Sequence, residues 1–267
     1  MLRDHVTMCL IFIALKHHPK YKLVVAANRD EFYDRRTAAA AFWHDHPEIL
    51  GGRDLEAMGT WLGITSAGRL CMVTNFRDLR NIKAHAPSRG KLVTDFLLEK
   101  SSGEAYLKRV EPKAKQFNGF SLIAGTVDSL FYLSNYKDGI IQLNSGLFGL
   151  SNHLLETPWP KVEKGKRAIQ DILKSQTVHK EELLKVLSDE TLGADHELPD
   201  TGVGLERERM LSPAFIKSPI YGTRSSTVIM VDYNDHVAFH ERMYDPLTSA
   251  FSLRSFEFII GQPVEKK

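Results

Sequence analysis

The stretch Met8-Cys9-Leu10-Ile11-Phe12-Ile13-Ala14-Leu15, a polar turn over residues 17–20, and Tyr21-Lys22-Leu23-Val24-Val25-Ala26-Ala27 decide the fold. Both apolar runs are short and nearly uninterrupted, which predicts a hairpin of central strands rather than amphipathic helices. A strand that is apolar on both faces needs cover on both sides. The first run is similar to a short signal h-region behind Arg3. It ends, however, in Lys16-His17-His18-Pro19 without a small-x-small cleavage site, and it is too short to span a bilayer.

Working outward, residues 61–65 and 69–75 flank Ser66-Ala67-Gly68, a second hairpin with its turn glycine. Residues 91–100 follow Ser88-Arg89-Gly90 and carry Leu92, Val93, Phe96 and Leu97 at helical spacing, and residues 104–110 continue the helical layer. Residues 120–127, 130–135, 140–143 and 147–151 read as short strands. Residues 161–174 and 180–187 are amphipathic helices. A last hairpin spans 227–232 and 237–243 around Asn234-Asp235, and 256–260 closes the chain as a strand. Strands, then helices, then strands is the pattern of antiparallel sheets with helices outside them. The predicted architecture is α+β: a four-layer αββα sandwich of two stacked, mostly antiparallel sheets. Residues 1–8 are read as an extension or removable leader. Residues 9–267 form a single domain with a long polar loop at 189–219, a length usual for lids or binding segments.

Composition narrows the function classes. A chain of 267 residues can bury a core that needs neither metal nor disulfide. Its net charge of +2 is too small to argue for a polyanionic partner, and no basic stripe is interleaved with aromatics, so nucleic acid is not expected. The two cysteines, Cys9 and Cys71, form no CxxC spacing and no disulfide framework. A reducing, cytoplasmic location without a transmembrane segment is expected, and no metal.

Polar residues gather at the ends of apolar runs, where a strand fixes position while its tip stays open. They are Cys9, Asn28-Arg29-Asp30-Glu31, Asn75, Asn152 and Tyr221-Gly222-Thr223-Arg224. Cutting the Met8–Cys9 bond would give Cys9 a free α-amine, whose pKa near ~8 suits it to accept the thiol proton. Asp30 or Glu31 is placed to hold that amine, Arg29 or Arg224 to favour thiolate, and Asn75 and Asn152 to donate to an oxyanion. Cys71 lacks such neighbours and is assigned to the core. Ser88-Arg89-Gly90 is either an anion site or a plain helix start.

The segments Ala26-Ala27-Asn28-Arg29-Asp30-Glu31-Phe32, Gly59-Thr60-Trp61-Leu62-Gly63, Gly149-Leu150-Ser151-Asn152, Glu156-Thr157-Pro158-Trp159 and Tyr221-Gly222-Thr223-Arg224-Ser225 resemble the NRDE family, also called the transport and Golgi organisation protein 2 family. More distantly the layout resembles the cysteine N-terminal-nucleophile hydrolases that cleave penicillin V and conjugated bile salts. That resemblance implies an amidohydrolase acting on C–N bonds other than peptide bonds, in a small linear amide. Cys9 would be the nucleophile, Asn75 and Asn152 the oxyanion donors, and Arg224 with the Asn28–Glu31 block the charge-tuning set, with no cofactor required. In those hydrolases an Arg stands three residues before the amine-binding Asp. Here Asn28 stands three before Glu31, so Arg29 and Asp30 are displaced by one position. The family resemblance also implies an alternative: a carrier of haem, an acyl-CoA or another lipid in the same cleft. Haem would need an axial ligand, for which His44, His46, His153, His236, His240 and Cys9 are the candidates.

Overall fold

A computed structural model of the chain describes residues 8–246, 248 and 250–263. The leader expected over residues 1–8 therefore lies outside the described residues except for Met8, whose backbone opens the first strand.

The chain begins with the expected hairpin, β1 (Met8–Leu15) and β2 (Tyr21–Phe32). The second strand does not stop before the polar block; it runs through it to Phe32. Next come two strands that the sequence reading did not find, β3 (Thr37–Phe42) and β4 (Ile49–Asp54). Then follow β5 (Leu62–Thr65), β6 (Arg69–Asn75), α1 (Arg89–Leu98) and α2 (Gly103–Val110). The strands β7 (Phe120–Thr126), β8 (Ser129–Ser134), β9 (Lys137–Leu143) and β10 (Gly146–Leu150) precede α3 (Pro160–Ile172) and α4 (Lys180–Leu187). After α5 (Leu205–Met210) the chain closes with β11 (Tyr221–Asp232), β12 (His236–Tyr244) and β13 (Phe251–Ile259).

The strands form two antiparallel sheets. One has the order β10-β1-β2-β11-β12-β13, the other β3-β4-β5-β6-β7-β8-β9. Three apolar layers follow from the two-residue period of a strand. Ile11, Ile13, Val25 and Ile229 of the first sheet meet Leu62, Leu70, Met72 and Ile123 of the second. The alternate residues Leu10, Phe12, Val24 and Val228 pack under Val162, Ile169, Leu183 and Leu184 of α3 and α4. On the far side Cys71, Val73 and Leu122 pack under Leu92, Phe96 and Leu107 of α1 and α2. Helices, sheet, sheet, helices is the αββα sandwich that the sequence predicts. Burying each such side chain contributes about 1.5–3 kcal/mol, so three layers of them hold the sheets together without cross-links.

The segment 189–219 is more ordered than the loop expected there. It contains a 3-10 turn, Asp195–Glu197, the helix α5, and a buried run over residues 211–216. Its composition misled because only a few scattered apolar residues, Val203, Leu211 and Ile216, pack into a small cluster with Tyr221, and buried polar contacts add to it. Arg77 and Glu208, both almost fully buried, pair at 2.9 Å. Glu208 also accepts the backbone N–H of Thr201 at 2.9 Å and its hydroxyl at 2.7 Å. Lys161 Nζ donates to the carbonyl of Leu211 at 2.9 Å. Among the described residues no helix is long and apolar enough to cross a membrane.

Candidate active site

One end of the molecule gathers the start of β1, the end of β2, the end of β6 and the start of α1. They surround a cavity of about 250 Å³ lined by Cys9, Arg29, Asp30, Glu31, Asn75 and the start of α1, among others. Two close packings bring these termini together. A Cβ on Gly59 would lie 2.7 Å from the backbone of Gly90, so only glycine lets the turn before β5 press against the start of α1. At the other end of the same motif, Gly63 leaves room for Leu97 of α1, whose Cδ1 would sit 2.7 Å from an added Cβ.

Cys9, the second residue of β1, lies in this cavity and is 9% exposed. Its thiol is pushed up to about 12, first by burial and then by the negative charge of Asp30; Arg29 and a hydrogen bond from the backbone N–H of Asp30 act the other way. With an amide at its own nitrogen, Cys9 is therefore a protonated thiol at neutral pH. Cys71 is completely buried under α1, and burial drives its thiol still higher.

The strand period divides the Asn28–Glu31 block in two. Arg29 and Glu31 share the inter-sheet face with Cys9, whereas Asn28 and Asp30 share the face under α3 and α4. The Arg29 guanidinium stacks 4.3 Å above Trp61, donates to Thr37 Oγ1 at 3.1 Å, and lies 3.4 Å from Glu31. Burial raises the Glu31 carboxyl, and Arg29 is the chief opposing influence. Arg35 forks onto Asp54 Oδ2, through Nε at 3.0 Å and Nη2 at 2.7 Å, and stands 3.6 Å from Glu31. Asp30 accepts the Thr223 hydroxyl at 2.6 Å on Oδ1, while its buried Oδ2 has no hydrogen-bond partner.

Asn28 is structural glue. Its amide donates to the carbonyls of Leu187 at 2.8 Å and Ala214 at 2.7 Å, and its oxygen accepts the Ser226 hydroxyl at 2.6 Å. It ties β2 to α4 and to the 189–219 segment, and it does not line the cavity.

Asn75 does line the cavity, and Asn152 stands behind it. Asn152 Nδ2 donates to the Asn75 carbonyl at 3.0 Å, and its neighbour Ser151 donates to the Cys9 carbonyl at 3.2 Å. The pair thus joins the ends of β10, β6 and β1. Arg224 is also outside the lining. It is the extra residue of a bulge where β11 passes β2 between Thr223 and Ser225. Its Nη1 donates to the carbonyls of Phe32, Tyr33 and Arg35 at 2.9–3.2 Å, which pins the chain leaving β2.

Sequence reasoning missed Arg35, Asp54, Lys83 and Asn118, which line the cavity together with Trp61 and Arg89. The Gly59–Gly63 motif already held the signal for Trp61, and Ser88-Arg89-Gly90 held that for Arg89. Nothing local singles out Asn118 or Lys83. None of the five histidines weighed as haem ligands lines the cavity. Among the described residues no group of three or more His, Cys, Asp or Glu is placed to hold a metal.

Fold and site define a four-layer αββα protein with one cysteine in a charged cavity where its two sheets end. The chain belongs to the Transport and Golgi organisation 2 family, whose model matches residues 8–246. A mouse Transport and Golgi organization 2 homolog is 36% identical over 275 residues, covering 95% of this chain and 99% of its own. The Transport and Golgi organization protein 2 of Drosophila melanogaster is 29% identical over 269 residues, covering 88% and 91%. Among solved structures, the Caenorhabditis elegans ortholog of N-acylethanolamine-hydrolyzing acid amidase aligns with 83% of this chain and 92% of its own. The TM-score is 0.48 and the identity 10%. A mutant conjugated bile acid hydrolase from Clostridium perfringens aligns with 97% and 91%, at a TM-score of 0.38 and 9% identity. The αββα architecture rests on the strand order and the three apolar layers themselves.

Proposed function

We propose that this protein is a cysteine amidohydrolase that cleaves a small linear amide, with Cys9 as nucleophile. The observation that carries this reading is the shared cavity of Cys9, Arg29, Asp30, Glu31 and Asn75. The reaction requires the Met8–Cys9 bond to be cut. The freed α-amine then takes the thiol proton, and the sulfur attacks the substrate carbonyl carbon. A C–S bond forms, Asn75 donates to the oxyanion, and the C–N bond breaks as the leaving amine takes up the proton. Water then hydrolyses the thioester, releasing the acid and regenerating the thiol. An ammonium beside the sulfur would favour thiolate, opposing the burial that keeps it protonated in the uncut chain.

Intact-mass analysis and a panel of N-acyl amides test this reading. A chain that begins at Cys9 and loses turnover on Cys9→Ala supports it. Retained Met8, or turnover unchanged in Cys9→Ala, overturns it.

A second reading is favoured by the burial of Cys9, which keeps its thiol protonated when the residue is internal. In that state the cavity binds rather than cleaves, and an acyl-CoA or lipid carrier is the corresponding function. Equilibrium dialysis of the uncut protein against a labelled acyl-CoA separates the two. Haem fits this cavity less well, since its lining offers no imidazole and burial keeps the Cys9 thiol, the remaining candidate ligand there, protonated.

A further inference from the structure

Lys161 occupies the first turn of α3, is 6% exposed, and points inward at the first sheet. Both features are unfavourable for a lysine. Burial penalises its charge, and the start of a helix repels a cation. The contacts that offset them are few. Nζ donates to the Leu211 carbonyl, and the strongest favourable charge is that of Asp30 on β2. Asp30 in turn is 1% exposed, with one carboxylate oxygen unpartnered, and its own backbone N–H reaches the Cys9 sulfur.

We propose that Lys161 is a positioning residue of the Cys9 site, which keeps the Asp30 carboxylate ionised behind the thiol. This rests on the reading of Cys9 as the reactive group and adds a residue from the opposite side of the sheet. Charged and titratable groups face the pair from several elements. Around Asp30 they are Cys9 of β1, Arg29 and Glu31 of β2, Tyr33 after it, Thr223 of β11 and Lys161 of α3. Around Lys161 they are Asp30, Cys9, Arg77 and Glu208. Burial raises Asp30, and Lys161 is the largest of the influences that lower it again. Burial likewise lowers Lys161, and Asp30 is the largest influence in the other direction. Each holds the other charged.

The test is the rate of Cys9 alkylation by iodoacetamide between pH 5 and 9, read by peptide mapping on the full chain without substrate. An ionised Asp30 disfavours thiolate, so the logarithm of the rate should flatten where Asp30 loses its proton. In Lys161→Met that flattening moves upward by about one pH unit or more, a tenfold change in proton affinity. Lys161→Arg keeps a cation and should leave it in place. Asp30→Asn should abolish it. Coincident profiles for wild type and Lys161→Met overturn the proposal, as does an Arg variant that shifts as far as Met. If Lys161→Met does not fold, a wild-type profile indistinguishable from that of Asp30→Asn overturns it equally. Amide turnover does not enter this measurement, so its absence would defeat the hydrolase reading and leave the Lys161 assignment standing.

Discussion

Cys9 and Arg29 stand directly opposite each other on β1 and β2, so sulfur and guanidinium leave the sheet on the same face. Arg29 cannot swing away from this position, because it stacks on Trp61 and binds Thr37 and Glu31. The thiol therefore faces a fixed cation, but burial and Asp30 outweigh it.

Alkylation at alkaline pH should reveal that balance. With the thiol at about 12, the Cys9 rate should climb about tenfold per pH unit from pH 9 to 11, with no plateau near 8.5. Cys71 should stay unmodified in the native protein, since it is sealed beneath α1. Mass spectrometry of both cysteine peptides over that range checks the two statements together.

Glu241 lies on the inter-sheet face of β12 and accepts the Ala40 N–H at 2.6 Å, and the nearby Ser225 and Thr227 hydroxyls and Arg29 favour its charge. Burial raises its carboxyl from an ordinary 4.5 to about 7. The folded state thus binds a proton that the unfolded state has already released between these values. Stability from this group is complete below 4.5 and is lost as pH rises through 7, by an amount on the order of 3 kcal/mol. Glu241→Gln keeps an acceptor for Ala40 and removes the titration. The gap between urea midpoints at pH 5 and pH 8 should be smaller in the variant than in the wild type, the remainder coming from other buried carboxyls such as Asp30.

Arg77 and Glu208 form a buried pair with Trp159 stacked 4.7 Å from the guanidinium. Removing one partner strands the other charge, so Arg77→Met or Glu208→Gln should cost about 3–5 kcal/mol. Limited proteolysis of these variants should cut first within residues 198–212, which the pair fastens to the sheet. Denaturant melts give the magnitude.

Gly59→Ala places a methyl 2.7 Å from the Gly90 backbone, where no flexible side chain can yield. A loss of about 1–3 kcal/mol is expected, as for other overpacked sites. Trp61, next but one in the chain and stacked on Arg29, should report the displaced loop by a change in fluorescence. An unchanged melt and spectrum would contradict the close packing.

The layers were legible because unbroken apolar runs such as 9–15 and 21–27 admit few other readings, and helices such as 180–187 show their period clearly. The strands β3 and β4 were not legible. Thr37-Ala38-Ala39-Ala40-Ala41-Phe42 is alanine-rich, with weak strand preference, and Ile49-Leu50-Gly51-Gly52 is interrupted by glycine. Tertiary packing rather than local chemistry makes them strands. The site was half legible. Cys9, Arg29, Asp30, Glu31 and Asn75 were found at strand ends and do share the cavity. Asn28, Asn152 and Arg224 are polar for a different reason, since each completes a backbone hydrogen-bond set at a junction of elements. Composition alone does not separate a side chain that faces the cavity from one that satisfies a carbonyl. Lys161 was hidden because a lysine in an amphipathic helix ordinarily faces water.

The bulge at Arg224 has a consequence for register. Because β11 carries one extra residue there, Thr223 turns toward α3 while Ser225 turns between the sheets, though only two positions separate them. In a regular strand both would point the same way. Thr223 could then not reach Asp30 while Ser225 faces between the sheets opposite Arg29. One inserted residue thus lets a single strand place two nearby hydroxyls on opposite sides of the sheet, so shortening the chain by that residue would take the Thr223 hydroxyl away from Asp30.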